Sequence, residues 1–276
     1  MHLSIAILDL YNGIPNEGMR CIQQILLQWQ STSGITVKYT IYDVRTAMKV
    51  PDLQYDAYIS TGGPGSPLAS EGSPWEIRYF DWVNKLHQYN LQAAPAAQKQ
   101  AFFICHSFQL LCRFLQVGQV CKRKSTAFGV FPVHALQAAY LQEEPLLAGL
   151  GNPFYVVDSR DYQVIGIDAL HLESMGGKVL CIEKERPHIQ LERAAMCIRF
   201  NAWFFGTQFH PEADAEGMRK YLLRDDKKAG IIAQHGVDKW QTMLDYLQDV
   251  DKIMCTYQQL LPNFLTSVVE AKRQLV

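Results

Sequence analysis

Phe102-Phe103-Ile104-Cys105-His106-Ser107-Phe108-Gln109 reads as an apolar strand that ends on a cysteine and passes at once into a helix. Residues 101–104 are continuously apolar, as in a strand buried on both faces. Phe108, Leu111, Phe114 and Leu115 then fall on one side of a helix over 107–117. So tight a junction pushes the cysteine out beyond the strand tip, where the positive end of the helix favours a thiolate. By itself a cysteine at a strand end is more often a packing residue; its meaning depends on what else the chain brings to it.

Outward from this junction the same alternation repeats. Residues 4–8 and 36–42 read as strands, with a helix between them that carries Met19, Ile22, Ile25, Leu26 and Trp29 at helical spacing. Residues 55–60 form a further strand, closed by Thr61-Gly62-Gly63-Pro64-Gly65-Ser66-Pro67, which neither helix nor strand tolerates. A helix over 75–91 and an Ala/Pro/Gln link lead back to Cys105. Strand followed by helix with short links predicts an α/β protein, with a mostly parallel central sheet between two helical layers. Chemistry in such sheets gathers beyond the carboxyl ends of the strands. Strands at 154–158, 178–183, 195–200 and 203–209 suggest an antiparallel edge. From residue 213 the pattern turns helical, over 213–229, 237–247 and 251–271, with a break or kink expected at Pro262. The expected division is a main domain over 1–212 and a C-terminal helical extension over 213–276, packed on or beside it.

Composition narrows the classes of function. The chain has 276 residues, 48% hydrophobic, with 26 Lys and Arg against 27 Asp and Glu. A net charge of −1 provides no broad field for nucleic acid or an anionic membrane. No apolar run approaches the ~20 residues of a membrane span, and no basic leader precedes Asp9. Seven cysteines without Cys-x-x-Cys pairing fit reduced thiols, and a cytoplasmic location is expected. Cys21, Cys112, Cys181, Cys197 and Cys255 sit among apolar residues and read as packing. His134, His171, His188 and His235 are scattered singly, so neither a metal nor a cofactor is expected. Lys122-Arg123-Lys124 reads as a solvated turn, and the mixed charges at Glu183-Lys184-Glu185-Arg186 and at 224–228 as exposed faces.

Two further segments change the weight given to Cys105. In Phe205-Gly206-Thr207-Gln208-Phe209-His210-Pro211-Glu212 a strand delivers a histidine and, two residues on, a carboxylate. The strand period of two puts His210 and Glu212 on one face, while Pro211 ends the ladder. Glu212 then orients the imidazole as its other nitrogen meets a thiol, the logic of a nucleophile, base and orienting acid. In Gly62-Gly63-Pro64-Gly65, glycines let the main chain approach an oxyanion, and the N–H groups of Gly63 and His106 are assigned as its donors. Alone, a His-Pro-Glu turn or a Gly/Pro loop is unremarkable; together with the cysteine junction they read as a nucleophile with its base, orienting acid and oxyanion donors.

In this order, the Gly-Gly-Pro-Gly-Ser-Pro loop, the cysteine elbow and the Gln-Phe-His-Pro-Glu strand resemble the class I (triad) glutamine amidotransferases, and the stand-alone, GMP synthase-like members in particular, over roughly residues 1–215. The resemblance implies a flavodoxin-like fold, a γ-glutamyl thioester on Cys105, proton transfer by His210 oriented by Glu212, and a substrate seated by Gln109. It also assigns Ser159, Arg160 and Asp161 to the substrate's α-substituents, with Arg160 where the family often has histidine. The elbow carries Phe103 and Ser107 where the family has glycines.

Three functions follow as alternatives. The first is hydrolysis of glutamine, releasing ammonia to a separate synthetase or acceptor. The second is a γ-glutamyl amide or peptide hydrolase without ammonia transfer. The third is a non-catalytic binding module that keeps the fold. The expected ligand is a small molecule, and the helical tail is compatible with packing in cis, with a homodimer or with a docked synthetase.

Overall fold

A computed structural model describes residues 2–249 and 252–273, apart from the side chains of 234 and 235. The start of the last helix expected at Asp251 and the side chain of His235 therefore lie outside the described residues. The first half alternates as β1 (His2–Asp9), α1 (Glu17–Ser33), β2 (Thr36–Asp43), β3 (Ala57–Ser60), α2 (Pro74–Gln92), β4 (Gln100–Ile104) and α3 (His106–Phe114). The middle holds β5 (Gln119–Ala135), α4 (Tyr140–Glu143), β6 (Phe154–Ile165), α5 (Ala169–Ser174), β7 (Lys178–Glu183), β8 (Ala195–Arg199) and β9 (Phe204–Thr207). Helices α6 (Ala215–Leu222), α7 (Asp225–His235), α8 (Val237–Tyr246) and α9 (Ile253–Arg273) complete the chain.

Among the described residues, nine strands join one sheet in the order β2-β1-β3-β4-β9-β8-β7-β5-β6. The first five run parallel, and the remainder pair antiparallel as a wing. Strand β9 lies beside β4 with Ile104 opposite Thr207, so the ends carrying Cys105 and His210 emerge side by side. Alternation along β4 divides the core. Phe102 and Ile104 pack with α1 and α9, whereas Ala101 and Phe103 pack with α2 and α3. Both helical layers expected of the α/β reading are thus present.

Helix α9 supplies Tyr257, Leu260, Leu261, Phe264, Leu265 and Val268 to the same core as β1 and β4. Phe264 meets Phe102 edge to face at 5.4 Å, and full burial of each such side chain contributes about 1.5–3 kcal/mol. The helix runs through Pro262 without the break expected there, because the apolar stripe holds both halves against the sheet. The helix expected over 213–229 is instead two. Asp214 caps α6 by accepting from the Gly217 N–H, and Asp225 and Asp226 favour a fresh N-terminus for α7.

Strand β5 has no counterpart in the sequence reading, and the solvated turn expected at Lys122-Arg123-Lys124 is wrong. These residues lie within β5, which pairs with β6 across a register shift between Lys122 and Ala127. Charged residues had masked the strand periodicity. Arg123 is buried beside Glu183, at 2.9 Å, and Arg186 pairs with the other Glu183 oxygen at 2.8 Å. Glu183 and Arg186 are therefore not on the exposed face expected for them.

Candidate active site

Cys105 sits at φ 49°, ψ −96°, between β4 and α3, a backbone conformation that an L-residue adopts only under strain. Three backbone and side-chain ties hold it there. Its N–H donates to the Thr207 carbonyl at 2.8 Å and its carbonyl accepts from the Gln109 N–H at 3.0 Å. The Ser107 hydroxyl accepts from the Ile104 N–H at 2.8 Å and lies 2.8 Å from the Ser60 carbonyl, to which it donates. A serine in place of glycine thus stitches the tips of β3 and β4 together. Phe103 points away from the turn, into the α2/α3 core, where it meets Phe204 edge to face at 5.5 Å.

His210 follows β9, and its N–H donates to the Val157 carbonyl of β6 at 2.9 Å. That bond ties the histidine to the antiparallel wing. Its Nδ1 lies 2.9 Å from Oε1 of Glu212, whose side chain is buried. The imidazole lines the same cavity as the Cys105 thiol. Burial opposes protonation of His210, but the charges of Glu212 and of a Cys105 thiolate outweigh it and raise the pKa well above 6.5. The buried imidazole is therefore poised to hold a proton.

The glycines of the 62–65 loop are required by close approach. A Cβ on Gly62 would lie 2.9 Å from His210 Cε1 and 3.6 Å from Cys105 Cβ, displacing the imidazole. A Cβ on Gly63 would lie 2.4 Å from the Leu10 carbonyl oxygen. Gly63 and His106 line the cavity with Cys105, and the His106 N–H, at the first position of α3, has no partner within the helix. The His106 ring is a different matter: burial, then the cations Arg45 and Arg113, lower its pKa to about 3, so it is neutral.

Gln109, Ser159 and Asp161 line the same cavity of about 650 Å³. The Gln109 Nε2 donates to the Tyr162 carbonyl at 3.2 Å and to the Gln208 amide oxygen at 3.1 Å, so only its own oxygen remains for a ligand. The Ser159 carbonyl is 3.8 Å from Cys105 Sγ, and Asp161 accepts from the Thr126 hydroxyl. Arg160 borders the cavity too, but its guanidinium is committed elsewhere. It is 1% exposed, donates to both Asp158 oxygens at 2.9 and 3.0 Å, and reaches Glu183 at 3.1 Å. Removing one member of so buried a network leaves uncompensated charge. Arg160→Met is expected to lower stability by about 3–5 kcal/mol, read as a shift of the urea midpoint.

Sequence reasoning missed Gln208 and Tyr11. Gln208 is fully buried, with its Nε2 3.9 Å from Cys105 Sγ. The alternation that puts His210 and Glu212 on one face also puts Gln208 there, so a signal was present. Tyr11 lines the cavity. Burial, then the charges of Glu212 and Cys105, push its pKa well above 10, so its hydroxyl stays protonated. No group of three His, Cys, Asp or Glu that could hold a metal ion occurs among the described residues, and no described helix is long and apolar enough to cross a membrane.

Comparison with known proteins bears on the family and the fold. The family model described as glutamine amidotransferase class-I matches residues 21–229. A glutamine amidotransferase from Thermotoga maritima superposes with a TM-score of 0.67 at 15% identity, over 98% of this chain and 99% of that one. The glutaminase domain of a Trypanosoma brucei CTPS, with acivicin bound, gives 0.58 at 13% identity, over 99% and 94%. A curated homoserine O-acetyltransferase from Catenibacterium mitsuokai is 22% identical over 213 residues, 77% of this chain. The chain spans 62% of that relative's length.

Proposed function

The chain belongs to the class-I glutamine amidotransferase family, and from that premise we propose that Cys105 attacks the side-chain amide of glutamine to form a γ-glutamyl thioester. The observation that carries this reading is the imidazole of His210, bonded to buried Glu212 and lining one cavity with Cys105. In the first step Sγ adds to the carbonyl carbon, and the developing oxyanion takes the Gly63 and His106 N–H groups. His210 gives its proton to the amide nitrogen, the C–N bond breaks and ammonia leaves. Water, deprotonated by His210, then adds to the thioester, and the S–C bond breaks to give glutamate. Gln208 sits to donate to the sulfur through both steps, and Gln109 holds Gln208 by its own amide.

The substrate's α-substituents fall to Ser159 and Asp161 in this reading, because the Arg160 side chain is committed to its carboxylates. Ammonia passes to a separate acceptor enzyme. The direct test is an electrophilic glutamine analogue followed by peptide mass spectrometry. One adduct, on Cys105 and suppressed by excess glutamine, is the expected result. Modification of the half-buried Cys121 or Cys255 with none on Cys105 overturns it.

A further inference from the structure

The Gly63 N–H serves an oxyanion only when its peptide faces the right way, and a bond between two glycines leaves that direction to its neighbours. In a trans peptide the C=O and the N–H of one unit point in opposite directions. The orientation of the Gly63 N–H is therefore set by whatever holds the Gly62 carbonyl. That carbonyl accepts from the Thr61 hydroxyl at 2.9 Å, and the same hydroxyl oxygen accepts from the Leu10 N–H at 3.0 Å. Thr61 is itself fixed. It is fully buried, and its own N–H donates to the Leu8 carbonyl at 3.0 Å.

This relay ties the Gly62 carbonyl to the β1 side of the loop. Strand β3 lies between β1 and β4 in the sheet, so a carbonyl drawn toward β1 turns the N–H of the same peptide toward the tip of β4, where Cys105 stands. A second tie acts beyond Gly63. The Arg45 Nη1 donates to the Pro64 carbonyl at 2.7 Å and to the Leu10 carbonyl at 3.3 Å, and the guanidinium lies 5.1 Å from the centre of the Trp75 ring. Gly63 is thus clamped from both sides, by Thr61 before it and Arg45 after it, and both clamps are anchored on Leu10. Neither side chain lines the cavity of Cys105.

We propose that Thr61 is a positioning residue for the oxyanion donor, with Arg45 as its counterpart on the other side of Gly63. The inference rests on the thioester reading above and adds to it two side chains that act through the main chain of Gly63. Two glycines set no side-chain barrier to rotation of the peptide between them. Without the Thr61 hydroxyl that unit is free to turn, and the tetrahedral intermediate then loses one of its two donors.

The test is Thr61→Val, which keeps the shape of the side chain and removes its hydroxyl, beside Thr61→Ser, which keeps the hydroxyl. Loss of an oxyanion donor costs about 10²–10³ in kcat, and a donor that is present but free to turn costs part of that. Thr61→Val is expected to lower kcat for glutamine by ~10–10²-fold with KM changed by less than about threefold, and Thr61→Ser to stay within about threefold of the natural kcat. Alkylation of Cys105 by iodoacetamide, followed by peptide mass spectrometry, is the readout that a merely loosened site would move. Displacement of iodide builds no oxyanion, so its rate should match that of the natural protein in both variants. Arg45→Met carries the test, with the same split expected, should Thr61→Val not fold as judged by circular dichroism. An undiminished kcat in the folded variant, a serine variant as slow as the valine one, or alkylation slowed in step with kcat overturns the proposal and leaves the thioester reading intact. Failure of that reading looks different: no analogue adduct on Cys105 and no glutamine turnover by the natural protein, which removes both.

Discussion

Cys105→Ala is expected to lower glutamine turnover by at least ~10³-fold, with the fold retained. In the proposed thioester mechanism the loss is large because the sulfur forms the covalent intermediate; what remains is the oxyanion site and binding, and groups acting as one unit do not compensate for each other. The fold survives because alanine keeps the Cβ and the backbone ties to Thr207 and Gln109 do not involve the sulfur. Cys105→Gly separates function from stability further. At φ 49°, ψ −96° a side chain costs about 1–3 kcal/mol that glycine does not incur. This variant is therefore expected to be inactive yet at least as stable as the natural protein, despite the lost sulfur contacts. Steady-state ammonia release and urea unfolding of the three proteins read both quantities. Turnover by Cys105→Ala within tenfold of the natural protein would eliminate the thioester mechanism.

Glu212→Gln is expected to lower kcat by ~10²–10⁴-fold with a smaller change in KM, since in the proposed mechanism the side chain orients the base without touching substrate. Its Oε1 holds Nδ1 at 2.9 Å while its Oε2 has no hydrogen-bond partner. The amide therefore replaces a charge that raises the His210 pKa, and His210 loses its proton at lower pH in the variant. The sign for stability follows. A histidine raised above 6.5 when folded contributes stability that is fully present below the unfolded pKa of about 6.5. That contribution is lost as pH rises through the folded value. The natural protein should thus lose stability relative to Glu212→Gln as pH increases upward from about 6.5. Paired urea titrations along that range, with the pH profile of kcat/KM, measure it; a difference independent of pH would show that Glu212 does not govern the imidazole's charge.

The parallel half of the sheet was legible because its signals are local. Continuous apolar strands such as 101–104, followed by helices with one apolar face, have only one way to be covered, and the expected layers are those observed. The wing was harder to read. Strand β5 carries Lys122, Arg123 and Lys124, which only look like a turn until Glu183 of β7 is placed beside Arg123. Charges are read as solvated by default, and burial of a matched set is a property of the pair, not of either segment.

The candidate site divides along the same line. By itself the sequence determined that a cysteine ends a buried strand, that His210 and Glu212 share a face two residues apart, and that glycines occupy a loop at a strand tip. Each of these is set by the period of a strand or the sterics of a turn, within a few residues. Only the tertiary structure decided that Arg160 turns to Asp158 and Glu183. Only it brought Tyr11, Phe128 and Tyr221 from three distant segments around the His210 ring. Periodicity fixes which way a side chain faces, but what lies opposite depends on strand order and on helix packing across the whole chain.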